Sequence, residues 1–185
     1  MTIITFTEIV QFAILTVALG YIFTAFIKLP KSPYSIKTGF NWDDFKFAAL
    51  ISAPAIIFHE LGHKFVALAF GLDASFQIWL TGLLVGVVLR AFNSPLIFLA
   101  PAYVTIPAGV SSGQMALIAF AGPFVNLLIA VISILMLKYR KNMSNKETLA
   151  WAIAKKLNIF LFIFNLIPFG PLDGAKVLTG ILGFF

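Results

Sequence analysis

The chain has no cysteine, which excludes disulfides, thiolate metal ligands and a cysteine nucleophile. Histidine is nearly absent too, with two in 185 residues. Charge is scarce: Asp, Glu, Lys and Arg together make 11%, against roughly 25% in soluble proteins. Only seven residues are acidic, so any metal must be held by a very small set of side chains. What fills the chain instead is apolar, with 61% hydrophobic residues, 21 of them phenylalanine. The mean hydropathy is +1.01. A soluble fold of this length has too little interior to hide that much apolar surface. The chain therefore reads as an integral, multi-pass membrane protein whose first partner is the lipid bilayer.

The formal charge of +6 does not point to nucleic acid, and no nucleic-acid partner is expected. The Lys and Arg residues gather beside apolar runs, where they act as topology signals. Two basic connections stand out, 28–46 and 138–146, and both are expected to be cytoplasmic, in the cell membrane. The fold expected is an all-α polytopic membrane protein of about four to six transmembrane or half-spanning helices. It forms a single domain, 1–185, with a first span at about 9–27 and a catalytic core at about 45–174. Gly71 suits a helix C-terminal cap. Between 72 and 92 the pattern is not helical. Gly82 and Gly86 interrupt it, and Phe76-Gln-Ile-Trp79 and Val85-Gly-Val-Val-Leu89 favour strands. A short β-hairpin or re-entrant segment is expected there. Such backbone is tolerated at membrane depth only against protein or a wet cavity, so a cavity is expected beside the preceding helix. Its strand edge could accept an extended peptide.

Both histidines lie in His59-Glu60-Leu61-Gly62-His63, in an otherwise apolar stretch. Histidines four apart on a helix share a face and can hold one metal ion, with the intervening glutamate placed as a base. Buried His and Glu at bilayer depth are costly and need partners or a function. Zinc in a catalytic site takes three protein ligands. Of the downstream carboxylates, Asp73 lies beyond the helix end and Glu147 sits beside the basic loop. Asp173 follows a break at Pro168, Gly170 and Pro171, where irregular backbone can deliver a carboxylate to a buried site. Asp173 is the third ligand on these grounds. Asn126 is an amide at bilayer depth, read either as an interhelical hydrogen bond or as a contact to substrate or site.

Three motifs in order, His59-Glu60-Leu61-Gly62-His63, Ala121-Gly-Pro-Phe-Val-Asn126 and Asn165-Leu-Ile-Pro-Phe-Gly-Pro-Leu-Asp-Gly174, resemble the site-2 protease family of intramembrane zinc metalloproteases. The resemblance implies one Zn2+ ion held by His59, His63 and Asp173, with Glu60 as general base. It implies that Asn126 and Asn165 face the substrate channel. It further implies transmembrane protein substrates, cleaved within or near their membrane segments in regulated intramembrane proteolysis.

The sequence departs from that family in places. Ala175 stands where a second glycine often follows Asp-Gly, with little effect expected. No segment is long enough for a PDZ or CBS domain, so a regulatory partner or an oligomer is the expected source of control. Two rivals remain. A CAAX-type membrane zinc protease would need a downstream glutamate, and only Glu147 is available. A non-catalytic membrane metal-binding protein would leave Glu60 without a purpose.

Overall fold

The computed structural model describes residues 3–30, 40–94 and 101–183. In chain order these form α1 (Phe6–Phe23), α2 (Trp42–Ala69), β1 (Ser75–Ile78), α3 (Leu80–Ala91), β2 (Ala102–Thr105), α4 (Ser112–Tyr139), α5 (Asn145–Asn165) and α6 (Asp173–Leu182). Polar caps set where the apolar helices begin. Thr5 and Glu8 form a capping box on α1, as do Ser111 and Gln114 on α4 and Ser144 and Glu147 on α5. Each box satisfies two otherwise orphaned helix donors. Asn41 caps α2. At its other end Gly71, at φ 76°, closes a Schellman motif, with Leu72 N–H on Ala67 O and Gly71 N–H on Leu68 O. The helices α1, α2 and α4 are long and apolar enough to cross a membrane. At 1.5 Å per residue, the 28-residue α2 and α4 each extend about 42 Å.

Side-chain contacts fix the helix directions. Lys64 near the end of α2 meets Glu8 at the start of α1, while the Leu29 N–H after α1 bonds Asp44 at the start of α2. These helices are antiparallel. So are α2 and α4, because His63 pairs with Ile118 while Asn126 pairs with Ala55. Gly62 makes that second packing close: a Cβ there would lie 2.8 Å from Ala121 O. Small residues let helices approach where lipid offers no hydrophobic drive for association. Asn126 on α4 meets Asn158 on α5, so α5 folds back along α4. Lys146 sits 5.9 Å from the Phe47 ring centroid. The two basic connections thus lie at one end of the bundle.

The region 72–113 corrects one expectation in detail. The segment 75–78 is a strand, but 80–91, with Val85–Leu89 inside it, is helix α3. The strand's partner is β2, with Ser75 opposite Thr105 and Ile78 opposite Ala102 in an antiparallel pair. The strand expected at 85–89 is not formed, because β preference reports a half-buried pleated surface rather than a backbone rule. Here Gly82, Leu83 and Gly86 form one buried helical face against α1. Arg90, near the end of α3, reaches the Thr24 hydroxyl beyond the end of α1. The chain has returned by Pro101, whose carbonyl accepts the Trp79 N–H. The whole excursion therefore makes no net crossing. Pro95, Pro101 and Pro107 argue against a straight span over 94–107, and residues 95–100 of that stretch lie outside the described residues.

Candidate metal centre

The central turns of α2 carry His59, Glu60 and His63, all more than nine-tenths buried. Asp173 is the first residue of α6 and is equally buried. A tight turn precedes it, with Gly170 at φ 58°, a conformation that costs a glycine nothing. Gly174 then presses α6 onto the end of α5, so closely that a Cβ would lie 2.3 Å from Leu166 O. The carboxylate also sits at a helix N-terminus, where the backbone dipole favours negative charge.

These residues bring three atoms together. His59 Nε2 lies 3.1 Å from Asp173 Oδ2 and 3.1 Å from His63 Nε2, and His63 Nε2 lies 3.3 Å from Asp173 Oδ2. Ligands at 2.0–2.1 Å around a tetrahedral ion stand about 3.3 Å apart, so the triangle has the right edge.

The hydrogen bonds behind the rings show what these atoms carry. Asn126 Nδ2 donates to Ala55 O at 2.9 Å and to Asn158 Oδ1 at 2.8 Å. A backbone carbonyl can only accept, so the amide orientation is fixed and Asn126 Oδ1 faces His59 Nδ1 at 2.6 Å. That nitrogen must donate. His63 Nδ1 likewise donates to Ile118 O at 2.7 Å. In neutral rings with Nδ1 protonated, both Nε2 atoms are bare. Two bare nitrogens and a carboxylate oxygen then converge, an arrangement that a metal cation satisfies directly and that, without one, a proton on an imidazole would have to bridge. This is the second-sphere pattern that orients ligating histidines.

Gly122 completes the fit. A Cβ at this position would lie 2.3 Å from His63 Nε2 and 2.8 Å from His59 Nε2. The glycine leaves open the space beside both nitrogens that an ion requires. Histidine and carboxylate donors without thiolate suit zinc among several divalent metals.

The site opens into a cavity of about 150 Å³ walled by α2, β2, α4, α5 and the turn before α6. Glu60 lines it and accepts no hydrogen bond from a described residue. Asn165 lines it as well, with its Nδ2 on Leu161 O. Asn126 is placed differently from the resemblance's implication. It is fully buried, absent from the cavity wall, and all its bonds run to His59, Ala55 and Asn158. It is the interhelical hydrogen bond, made between α4, α2 and α5. Its burial matches that of His59, to which it bonds. Asp73 borders a separate groove near Glu8 and Lys64. Glu147 caps α5 and pairs with Arg140 at 3.1 Å. Hydrogen bonds from the Ser144 backbone and hydroxyl, with Arg140 beside them, hold its carboxyl below the usual range. It lies at the far end of the bundle and joins no metal group.

Sequence reasoning missed four residues. Asn158 ends the amide chain by donating to Ala154 O. Its signal was symmetry: Asn126 and Asn158 lie equally far on either side of the turn that joins α4 and α5. Glu8 and Lys64 form a buried ion pair, Nζ to Oε2 at 2.6 Å, and Glu8 also accepts the Phe76 N–H at 2.7 Å. A lone acid opening one apolar span and a lone lysine closing the next were the clue. Lys176 lines the cavity one turn after Asp173.

Comparison with known proteins agrees with this geometry. The sequence model for peptidase family M50 matches residues 47–146. A protein of Methanocaldococcus jannaschii named "Putative zinc metalloprotease MJ0611" is 35% identical over 162 residues, covering 82% of each chain. "Zinc metalloprotease MJ0392" of the same organism is 27% identical over 128 residues, 69% of this chain and 32% of its own. "Putative zinc metalloprotease YwhC" of Bacillus subtilis is 32% identical over 139 residues, 67% of this chain and 64% of its own. No solved structure matches the chain significantly. With three ligand-type side chains converging inside apolar helices, and with more than half its length matched by the family model, the chain belongs to peptidase family M50.

Proposed function

We propose that this chain is an intramembrane zinc metalloprotease that hydrolyses peptide bonds within or near transmembrane segments of other proteins. The observation that carries the proposal is the triangle of His59 Nε2, His63 Nε2 and Asp173 Oδ2 beside Glu60, opening into a walled cavity. Zn2+ held by these three residues supplies a Lewis acid that polarises a carbonyl and acidifies water towards pH ~7. Glu60 accepts the proton as the water oxygen bonds to the peptide carbonyl carbon. It then delivers that proton to the leaving amine nitrogen as the C–N bond breaks. Asn126 and Ile118 keep both imidazoles in the ligating tautomer throughout. The cavity walls keep lipid from the reacting groups. Asn165 offers an amide to the cavity, where it can meet a substrate carbonyl. The β1–β2 pair has a second edge, and Tyr103 and Val104 of β2 line the cavity. An extended, locally unwound substrate can add there as a strand.

The test is co-expression with a panel of tagged single-span membrane proteins, comparing wild type with Glu60→Ala. Cleavage by wild type, lost in a variant that still binds zinc, is the expected result. Wild type that binds zinc and cleaves no panel member would overturn the proposal in favour of a non-catalytic metal protein. The cytoplasmic placement of the basic end rests on its Lys and Arg bias. The natural absence of cysteine makes single-cysteine labelling from each side of the membrane a direct check.

A further inference from the structure

Lys176 is not accounted for by the metal centre. It lies on α6 one turn beyond Asp173 and contributes to the cavity wall. Its Nζ stands 4.0 Å from Asp173 Oδ1, beyond hydrogen-bond reach, so its protons remain free. Its side chain is 54% exposed, against Asp173, which is closed in. Asp173 therefore divides its oxygens: Oδ2 meets the two histidines, and Oδ1 faces the lysine.

Among the described residues lining the cavity, the charged groups are Glu60, Asp173 and Lys176. Two carboxylates would offset a divalent cation bound there. Lys176 leaves the loaded cavity with a net positive charge inside otherwise apolar and neutral walls. Low-dielectric walls strengthen that field. The distances also limit where the lysine can act. Nζ stands 4.0 Å from Asp173 Oδ1, and Oδ2 of the same carboxylate meets both histidines, so a single carboxylate separates the lysine from the residues that would hold the ion. A residue in extended chain advances about 3.3–3.6 Å. The lysine thus reaches the side chain of a residue flanking the bond to be cut.

We infer that Lys176 is a specificity-determining residue that selects substrates carrying an acidic side chain next to the scissile bond. This rests on the proteolytic reading above. An Asp or Glu in a membrane segment is costly to bury alone, and pairing with Lys176 offsets that cost only in the enzyme-bound state. A cationic side chain at the same place meets repulsion from both the lysine and the ion. The competing role is a snorkelling lysine that carries its charge to water along the helix, with no influence on selection.

The test uses the full chain, zinc-loaded in detergent micelles. The probes are apolar peptides in which one position at a time is Glu, Gln or Lys, with cleavage sites mapped by mass spectrometry. Wild type should cleave the Glu peptide about fivefold faster than its Gln counterpart at one position flanking the cut, the scale of a partly exposed ion pair. The Lys peptide should be slowest. In Lys176→Met the Glu-to-Gln ratio should fall to one with zinc content unchanged. In Lys176→Gln it should fall likewise. Equal wild-type rates for Glu and Gln at every position would overturn the inference and leave the proteolytic reading standing. So would a Glu preference that survives in Lys176→Met, or zinc loss in both variants, which would make Lys176 a support for Asp173. Cleavage of no peptide and no membrane substrate by wild type would instead overturn the proteolytic reading.

Discussion

Replacing Gly122 by alanine adds one methyl group at a crowded point of the helix packing. Its carbon would lie 2.3 Å from His63 Nε2 and 2.8 Å from His59 Nε2. Ordinary contact begins at about 3.4 Å, so the nearer ring must retreat by about 1 Å, or α4 must move out by as much. Zinc–ligand distances hold to within about 0.2 Å, so the first response breaks the ligand triangle, and the second withdraws the Asn126 and Ile118 contacts that orient the two rings. Loss of an outer-sphere partner alone typically costs 10–100-fold in metal affinity. Displacing a ligand should cost at least the upper end, about 100-fold.

The metal-free protein should lose less. Alanine improves an interior helix position by about 1 kcal/mol over glycine. Rotating both rings away sacrifices the Asn126 and Ile118 hydrogen bonds, at roughly 1 kcal/mol each. The net cost is then about 1 kcal/mol. A hundredfold loss in affinity, by contrast, removes about 2.7 kcal/mol of zinc-dependent stabilisation. The assay is thermal unfolding in detergent with and without zinc, beside competition against a chromophoric chelator. Gly122→Ala should keep its metal-free Tm within a few degrees and lose most of the zinc-dependent rise. A variant that binds zinc with wild-type affinity would refute both the position of the ion and the reasoning from the glycine.

Asp173→Asn should abolish stoichiometric zinc, measured by elemental analysis, while Glu147→Gln should leave zinc unchanged. The reverse would restore the CAAX-type ligand set. Lys64→Met leaves the Glu8 carboxylate buried without its partner and should cost roughly 3–5 kcal/mol of stability. Adding Glu8→Gln should recover most of that in thermal unfolding. Single and double variants of equal stability would show that the pair is not a buried charge couple.

The cluster of His59, His63 and Asp173 was legible in the sequence because metal chemistry restricts residue types and helical spacing fixes their direction. With two histidines, and with Asp73 beyond its helix and Glu147 in the basic turn, little else could complete the set. The long apolar spans were legible for the same reason, since crossing hydrocarbon demands a minimum length. Partner identity was not. Asn126 read as an amide needing some partner, and which one depends on how α2, α4 and α5 register against each other. The strand pairing failed for a related reason. Phe76 announces a strand, but nothing local says that its partner stands 28 residues on at Val104 rather than in the adjacent valine run. That choice is made by Glu8, which takes the Phe76 N–H, and by the glycine face that docks α3 on α1.

The strongest argument for a cation at the centre comes from the rest of the membrane core. Unsatisfied polar atoms at bilayer depth cost several kcal/mol each, and the chain is built accordingly. The amide chain from His59 runs through Asn126 and Asn158 to a backbone carbonyl, with every donor matched. Ser52 and Ser133 return their hydroxyls to their own helices. Among the described residues, leaving aside the groups that open onto the cavity, the one buried side-chain polar atom without a partner is Gln11 Oε1. Against that background, two bare imidazole nitrogens and a carboxylate oxygen packed within 3.3 Å would be a mutual repulsion in the least forgiving solvent available. Asn126 and Ile118 create that situation by forcing the lone pairs inward, and Gly122 keeps open the space that a methyl group would otherwise fill. A sequence that satisfies its other buried polar groups so closely, yet aims these three at one point, is arranged for a positive charge to sit there.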